Sequence, residues 1–421
     1  MDGSSSSGVD GRRAWLVASA GSAINTWTFG VFYSFGAAFE QMADEFDAGS
    51  GATAAIFAIT TFLFFGGGAI AGPLGDRYGA KPLVAFGGIA MGAGLLLTAQ
   101  VTSLELGYLT YGVGVGVGIS AYLVPMTACV GGWFERHRSI ALGLYTGGIG
   151  LGTLLLVPLS ERLIRTEGWR FAFRVLGVGS VVVYGLAALV ITRPPGKASL
   201  APRKPVGEII RFYGFWRMYL ASFFMSTALF VPFVFIVKYS TDRGVSSPAA
   251  AALISVIGVG SVAGRFGLGA IGVRVNIFGL ALLAYAVQPF GYIIWLLSDG
   301  SYVALVIFAA ILGAAYGGYV ALGPVLAAEL YGIEGLGAIL GVLFTSAGLG
   351  GLIGPIAAGF ILDWTDSFTI VICLAIVLSL LATIAFWPLR HGVPVDESGL
   401  VTDGASHSET THTSSPRSSP A

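Results

Sequence analysis

Runs of about twenty apolar residues recur twelve times along this chain, the length that crosses a bilayer as a helix. They lie at 14–36, 52–71, 82–101, 105–128, 139–159, 171–191, 216–238, 249–271, 276–297, 302–328, 336–362 and 368–388. Inside lipid a spanning segment must satisfy its own backbone N–H and C=O groups, so segments of this kind fold as helices. The prediction is an all-α membrane protein with twelve transmembrane helices. Only 10% of residues are charged and the mean hydropathy is +0.83, whereas a soluble domain carries about 25% charge. The 63 glycines fit the same class, because small residues let membrane helices approach closely.

The longest polar interruption, 192–215, is rich in proline and basic residues and reads as a cytoplasmic linker between two six-helix halves, 14–191 and 216–389. Residues 1–13 form a polar tail, and 390–421 a Ser/Thr/Pro-rich one with no apolar pattern, expected to be disordered. An even number of spans puts both termini on one side. That side collects Arg12, Arg13, Arg77, Lys81, Arg136, Arg138, the basic linker, Arg274 and Arg390. The other collects Glu40, Asp44, Glu45, Asp47, Asp299, Asp363 and Asp366, with fewer cations at Arg162, Arg165, Arg170, Lys238 and Arg243. Lysine and arginine set orientation, so both termini are expected in the cytoplasm of a multi-pass cell-membrane protein. The first span is too long for a cleaved signal peptide, and Cys129 and Cys373 read as buried packing thiols. A net charge of zero gives no reason to expect a nucleic-acid partner.

Arg265 is the one charged residue within 249–271. A mid-helix arginine costs about 2.5–3.5 kcal/mol on insertion scales, and it is usually kept for a function. Two readings are open from the residues alone. The side chain sits about six residues, on the order of 9 Å, from the inner end of its helix, within reach of the interface by snorkelling. Alternatively it faces the helix bundle and pairs with an anionic substrate, for which a guanidinium offers two parallel donors.

Other polar side chains in the spans are Asn25, Thr28 and Tyr33 in the first, Tyr111 and Tyr122 in the fourth, Tyr145 in the fifth, and Tyr316 and Tyr319 in the tenth. Tyr111 and Tyr122 are eleven residues apart and share a face. A tyrosine suits a small carboxylate with a short hydrocarbon part, though packing in the core explains any one of them equally well. GVGVGVG at 112–118 lacks the strand and downstream acid of a dinucleotide site and reads as close helix packing. His137, His391, His407 and His412 lie outside the spans, and no span holds a nucleophile–base or metal-ligand set. Enzyme chemistry, a metal and a cofactor are therefore not expected.

After the second span comes GPLGDRYGAK, 72–81, read as a turn with Asp76 and Arg77 at the membrane edge. It resembles the loop signature of the major facilitator superfamily, G-x-L-x-D-R-x-G-x-K/R. Gly272 and Arg274 repeat part of it in the second half, with Val273 in place of the acid. GGWFERHRSIALGLYTGGIGLG (131–152), 231–267 and 316–363 are similar to helices 4–5, 7–8 and 10–11 of the monocarboxylate transporter and oxalate/formate antiporter branch.

That resemblance implies two pseudo-symmetric six-helix bundles with a site between them near the midplane. It implies a substrate-binding role for Arg265, with Tyr122, Tyr316, Tyr319, Tyr33, Asn25, Tyr145 and Ser261 around it. Gly72, Asp76, Arg77, Gly79, Lys81, Arg136 and Arg138 would form a conformational latch. Three positions depart from the family: Ser261 stands where many animal carriers have an aspartate, Tyr33 near where several have a lysine, and Gly348 near the second cation of oxalate/formate antiporters. A single cation suits a monocarboxylate, moved by alternating access with a coupled proton or a counter-anion as the possible partner. Other substrates (a dicarboxylate, drug or sugar) and a non-transporting carboxylate sensor are the competing expectations.

Overall fold

A computed structural model describes residues 9–195, 213–272, 276–331 and 336–390. Most of the linker, the residues after 390, and Val273 and Arg274 lie outside the described residues, as do His391, His407 and His412. The described secondary structure is helical throughout. In the first half, α1 is Arg12–Tyr33, α2 Phe35–Glu45, α3 Ser50–Gly66, α4 Gly68–Tyr78, α5 Ala80–Thr98, α6 Leu104–Gly132, α7 Arg138–Glu167 and α8 Trp169–Val190. In the second, α9 is Tyr213–Thr241, α10 Ser247–Gly272, α11 Ile277–Leu296, α12 Tyr302–Tyr331, α13 Leu336–Thr365 and α14 Phe368–Phe386.

Ten of these helices are long and apolar enough to cross a membrane, and the pair α3–α4, bent by 44°, makes an eleventh span. The first expected span, α1, has the length to cross, 22 residues or about 33 Å, but falls short of that apolarity. Ser22, Asn25 and Thr28 make it less apolar, and all three are buried against neighbouring helices rather than turned to lipid.

The packing repeats between the halves. In the first half α1 lies on α7 and α8, α5 on α6 and α8, and α3 on α6. In the second, α9 lies on α13 and α14, α11 on α12 and α14, and α10 on α12. Span for span these are the same pairings, and the two halves meet through α3 with α13 and α7 with α10.

Two expectations need correction. The stretch 72–81 is not a loop: α4 continues to Tyr78, and only Gly79, at φ 85°, turns the chain. Gly66, Gly67 and Gly68 give the bend, while Gly72 and Gly75 sit close against Val124 and Pro125 of α6, which holds the segment helical. Cys373 is exposed, not buried, because α14 is peripheral and one side of it faces outward; Cys129 is buried, and neither forms a disulfide.

Candidate functional site

The face that carries the chain ends can be traced through its contacts. Asp10 accepts from the backbone N–H groups of Arg136 at 3.0 Å and His137 at 3.0 Å. Those bonds, with the Arg136 N–H foremost, hold its carboxyl below the usual carboxylate range. Nearby, Arg193 donates to the Arg77 carbonyl at 2.9 Å and packs beneath Gly79, where a Cβ would meet its Nε at 2.8 Å. The Arg138 guanidinium lies over Gly131, while Asp76, Arg77 and Lys81 are exposed. The candidate latch residues thus collect on one face of the first half, with Gly72 inside α4.

On the opposite face the halves are in tight contact. Asp363, near the end of α13, accepts from the backbone N–H groups of Ser50 at 2.7 Å and Gly51 at 2.9 Å. Those are first-turn amides of α3, whose own N-cap residue is Gly49 and supplies no side-chain oxygen. Lys238 of α9 reaches Glu40 of α2 at 3.5 Å. Between this rim and the middle of the bundle lies an aromatic plug. Tyr33 stacks on Phe233 at 4.0 Å, Phe39 meets Phe235 edge-on at 5.2 Å, and Phe57 approaches Phe230 at 6.3 Å. Each of these pairs spans the two halves.

Arg265 lies at the junction on the other side of the plug, with only 9% of its surface exposed. It does not turn to the interface. Its Nη1 donates to the Thr146 carbonyl of α7 at 2.8 Å, so the side chain bridges the halves. Among the described residues its Nε and Nη2 have no hydrogen-bond partner and no carboxylate forms an ion pair with it. The guanidinium carbon is 5.9 Å from the centre of the Tyr316 ring, whose hydroxyl is 2.9 Å from that of Tyr33. Ser261, one turn before Arg265, is 1% exposed, and its hydroxyl also lacks a partner. Arg265, Tyr316 and Tyr33 therefore form one group, drawn from α10, α12 and α1, with Ser261 one turn from Arg265 on α10.

The remaining candidates fall elsewhere. Asn25 donates to the Tyr145 carbonyl at 2.7 Å and accepts from the Tyr122 hydroxyl at 2.8 Å. The Tyr145 hydroxyl donates to the Leu123 carbonyl at 3.3 Å. This is a satisfied network within the first half, and it meets Arg265 through α7, where the adjacent carbonyls of Tyr145 and Thr146 serve the two groups. Tyr319 turns away from Tyr316 and bonds Ser222, which accepts from Ser346 at 2.7 Å, inside the second half. Tyr111 and Tyr122 do share a face, and it packs on Phe173 and Tyr184 of α8.

Sequence reasoning missed Asp363, the Glu40–Lys238 pair and the Thr146 carbonyl. A glycine in the capping position of α3 was the available signal for the first, since it leaves amides that some other chain segment must satisfy. A backbone carbonyl leaves no mark in the residue type.

The profile of the Major Facilitator Superfamily matches residues 18–296 and 270–418. Monocarboxylate transporter 11 of Homo sapiens is 30% identical over 378 residues, covering 86% of this chain and 79% of that protein. The Agnestins efflux protein AgnL12 of Paecilomyces divaricatus is 28% identical over 337 residues, 80% of this chain and 77% of its own length. Among solved structures, a variant of the nucleoside transporter NupG superposes with a TM-score of 0.73 at 14% identity, covering 89% of this chain and 99% of that one. The repeated six-helix packing, the buried polar group between the halves and the profile match over most of the chain agree, and the chain belongs to the major facilitator superfamily of membrane transporters.

Proposed function

We propose that this transporter moves a small organic anion, a monocarboxylate, across the cell membrane by alternating access, with both termini cytoplasmic and Arg265 pairing with the carboxylate. The observation that carries this reading is the buried guanidinium between the halves, two of whose nitrogens face no protein acceptor. A buried charge without a partner is strongly unfavourable, and a carboxylate accepting from Nε and Nη2 would supply both hydrogen bonds and the countercharge. Tyr316 and Tyr33 offer hydroxyls beside it and an apolar ring surface for a short hydrocarbon part. Ser261 adds a further hydroxyl. The relatedness to monocarboxylate transporter 11 supports the same substrate class.

The test is uptake of labelled lactate, pyruvate, formate and oxalate by the purified protein in proteoliposomes. Arg265→Ala is expected to reduce uptake of the preferred anion at least a hundredfold, because loss of a buried charged partner costs roughly 3–5 kcal/mol. Insertion and thermal stability should persist. Near-normal uptake by that variant would remove Arg265 from the site. A second reading, efflux of another organic compound, has support from the similarity to the Agnestins efflux protein. Transport of large organic acids with exclusion of all four small anions would favour it.

A further inference from the structure

We infer that this protein works far faster as an anion exchanger than as a net transporter, and that Ser261 is the position that makes it so. The inference rests on the carboxylate reading above and concerns what the site does when no substrate occupies it. Alternating access requires a passage through a state in which both faces are shut around Arg265. A guanidinium keeps its charge at any physiological pH, so it cannot cross that state by losing a proton. With a carboxylate bound, the ion pair moves as a neutral unit. Without one, the protein itself has to balance the charge.

The groups that face Arg265 do not balance it. Among the described residues, α7 supplies the Thr146 carbonyl, α12 the Tyr316 ring and α1 the Tyr33 hydroxyl through Tyr316, while Ser261 stands one turn away on α10 itself. These are dipoles and hydroxyls. Among the described residues, the buried acid in a spanning helix is Glu161, which pairs with Arg165 at 3.2 Å. It lies fifteen residues along α7 from Thr146, about 22 Å, too far to serve.

Ser261 is the natural seat for a countercharge. It stands four residues before Arg265, on the same face of α10, where an acid and a cation interact across one turn. It is buried, and its hydroxyl is unpartnered. A hydroxyl there leaves the return of the empty carrier to shut an unneutralised cation into a closed bundle. The loaded carrier escapes that cost in both directions. The consequence is one anion out for each anion in, with no proton carried.

The experiment compares two kinds of proteoliposome, one with 10-fold excess unlabelled pyruvate inside and one with an empty lumen, both offered labelled pyruvate outside. That excess, roughly tenfold over the external anion, dilutes the label inside and keeps it from being carried back out. Initial uptake should be faster into loaded vesicles by about tenfold or more, since the penalty on an unpaired buried charge enters the empty-carrier barrier exponentially. Equal rates into both would overturn the exchange inference while leaving the carboxylate site intact. No uptake of any carboxylate into either would remove the site reading and the inference with it.

Ser261→Asp supplies the missing acid. It is expected to raise uptake into empty vesicles toward the loaded rate and to make it respond to an inward proton gradient, the new carboxylate taking up a proton when substrate displaces it from Arg265. Ser261→Asn, of the same shape without the charge, should stay dependent on internal anion. A gain of net uptake by the asparagine variant would overturn the role assigned to charge at this position.

Discussion

At the scale of single residues, the polar side chains of the bundle divide by whether their hydrogen-bonding capacity is used. Asn25 uses both ends of its amide, and Tyr122 is wholly buried with its hydroxyl spent on Asn25. Such groups hold helices in register. Arg265 and Ser261 keep unspent donors at the junction of the halves. The distinction predicts opposite phenotypes for two alanine substitutions. Asn25→Ala strands the Tyr122 hydroxyl in an apolar interior, a loss of about 1–3 kcal/mol of stability. It should lower the thermal unfolding midpoint in detergent while changing pyruvate affinity little, because Thr146 is still placed by α7. Arg265→Ala should do the reverse. Loss of pyruvate binding by Asn25→Ala at an unchanged midpoint would move Asn25 into the substrate site.

At the scale of elements, the end of α13 completes the start of α3. The Asp363 carboxylate takes two first-turn amides of a helix in the other half, and the favourable end of that helix dipole faces it. Under the proposed alternating access the contact would be lost when that face opens, so it would bias the equilibrium toward the closed form. Asp363→Ala should weaken the closure by roughly 1 kcal/mol, the usual value of a lost N-cap, which is about a fivefold shift in population. Amide exchange at Ser50 and Gly51 should accelerate accordingly in a deuterium-exchange measurement. Protection unchanged from the parent would show that the aromatic plug alone sets the closure. The plug is a credible rival, since Tyr33, Phe39, Phe57, Phe230, Phe233 and Phe235 are all nearly fully buried.

At the scale of the whole molecule, apolar run length made the spanning helices legible, because the bilayer fixes that length. Helix limits moved by a few residues: 105–128 is Leu104–Gly132, and 302–328 is Tyr302–Tyr331. The continuation of α4 through GPLGD was hidden, because glycine and proline signal a turn in water, whereas here Val124 and Pro125 press against the glycines and keep the segment wound. Arg265 stood out from the residues alone, but that it spans to Thr146 depends on how α7 and α10 dock. Docking is also where glycine matters most to mechanism. A Cβ on Gly359 would stand 2.5 Å from the Cα of Gly51 across the α3–α13 contact, and backbone cannot step aside as a side chain can. Gly359→Val should therefore hold that face apart, at a cost to the closed form of about 1–3 kcal/mol or more. The proposed substrate group of Arg265, Tyr316 and Tyr33 is left untouched. Pyruvate binding to the detergent-solubilised variant should persist while uptake into loaded proteoliposomes falls by at least about tenfold, since 1.4 kcal/mol is one decade. Arg265→Ala loses both. A Gly359→Val protein that exchanges pyruvate at the parental rate would mean that the α3–α13 contact stays formed throughout the cycle, and that the halves rock elsewhere.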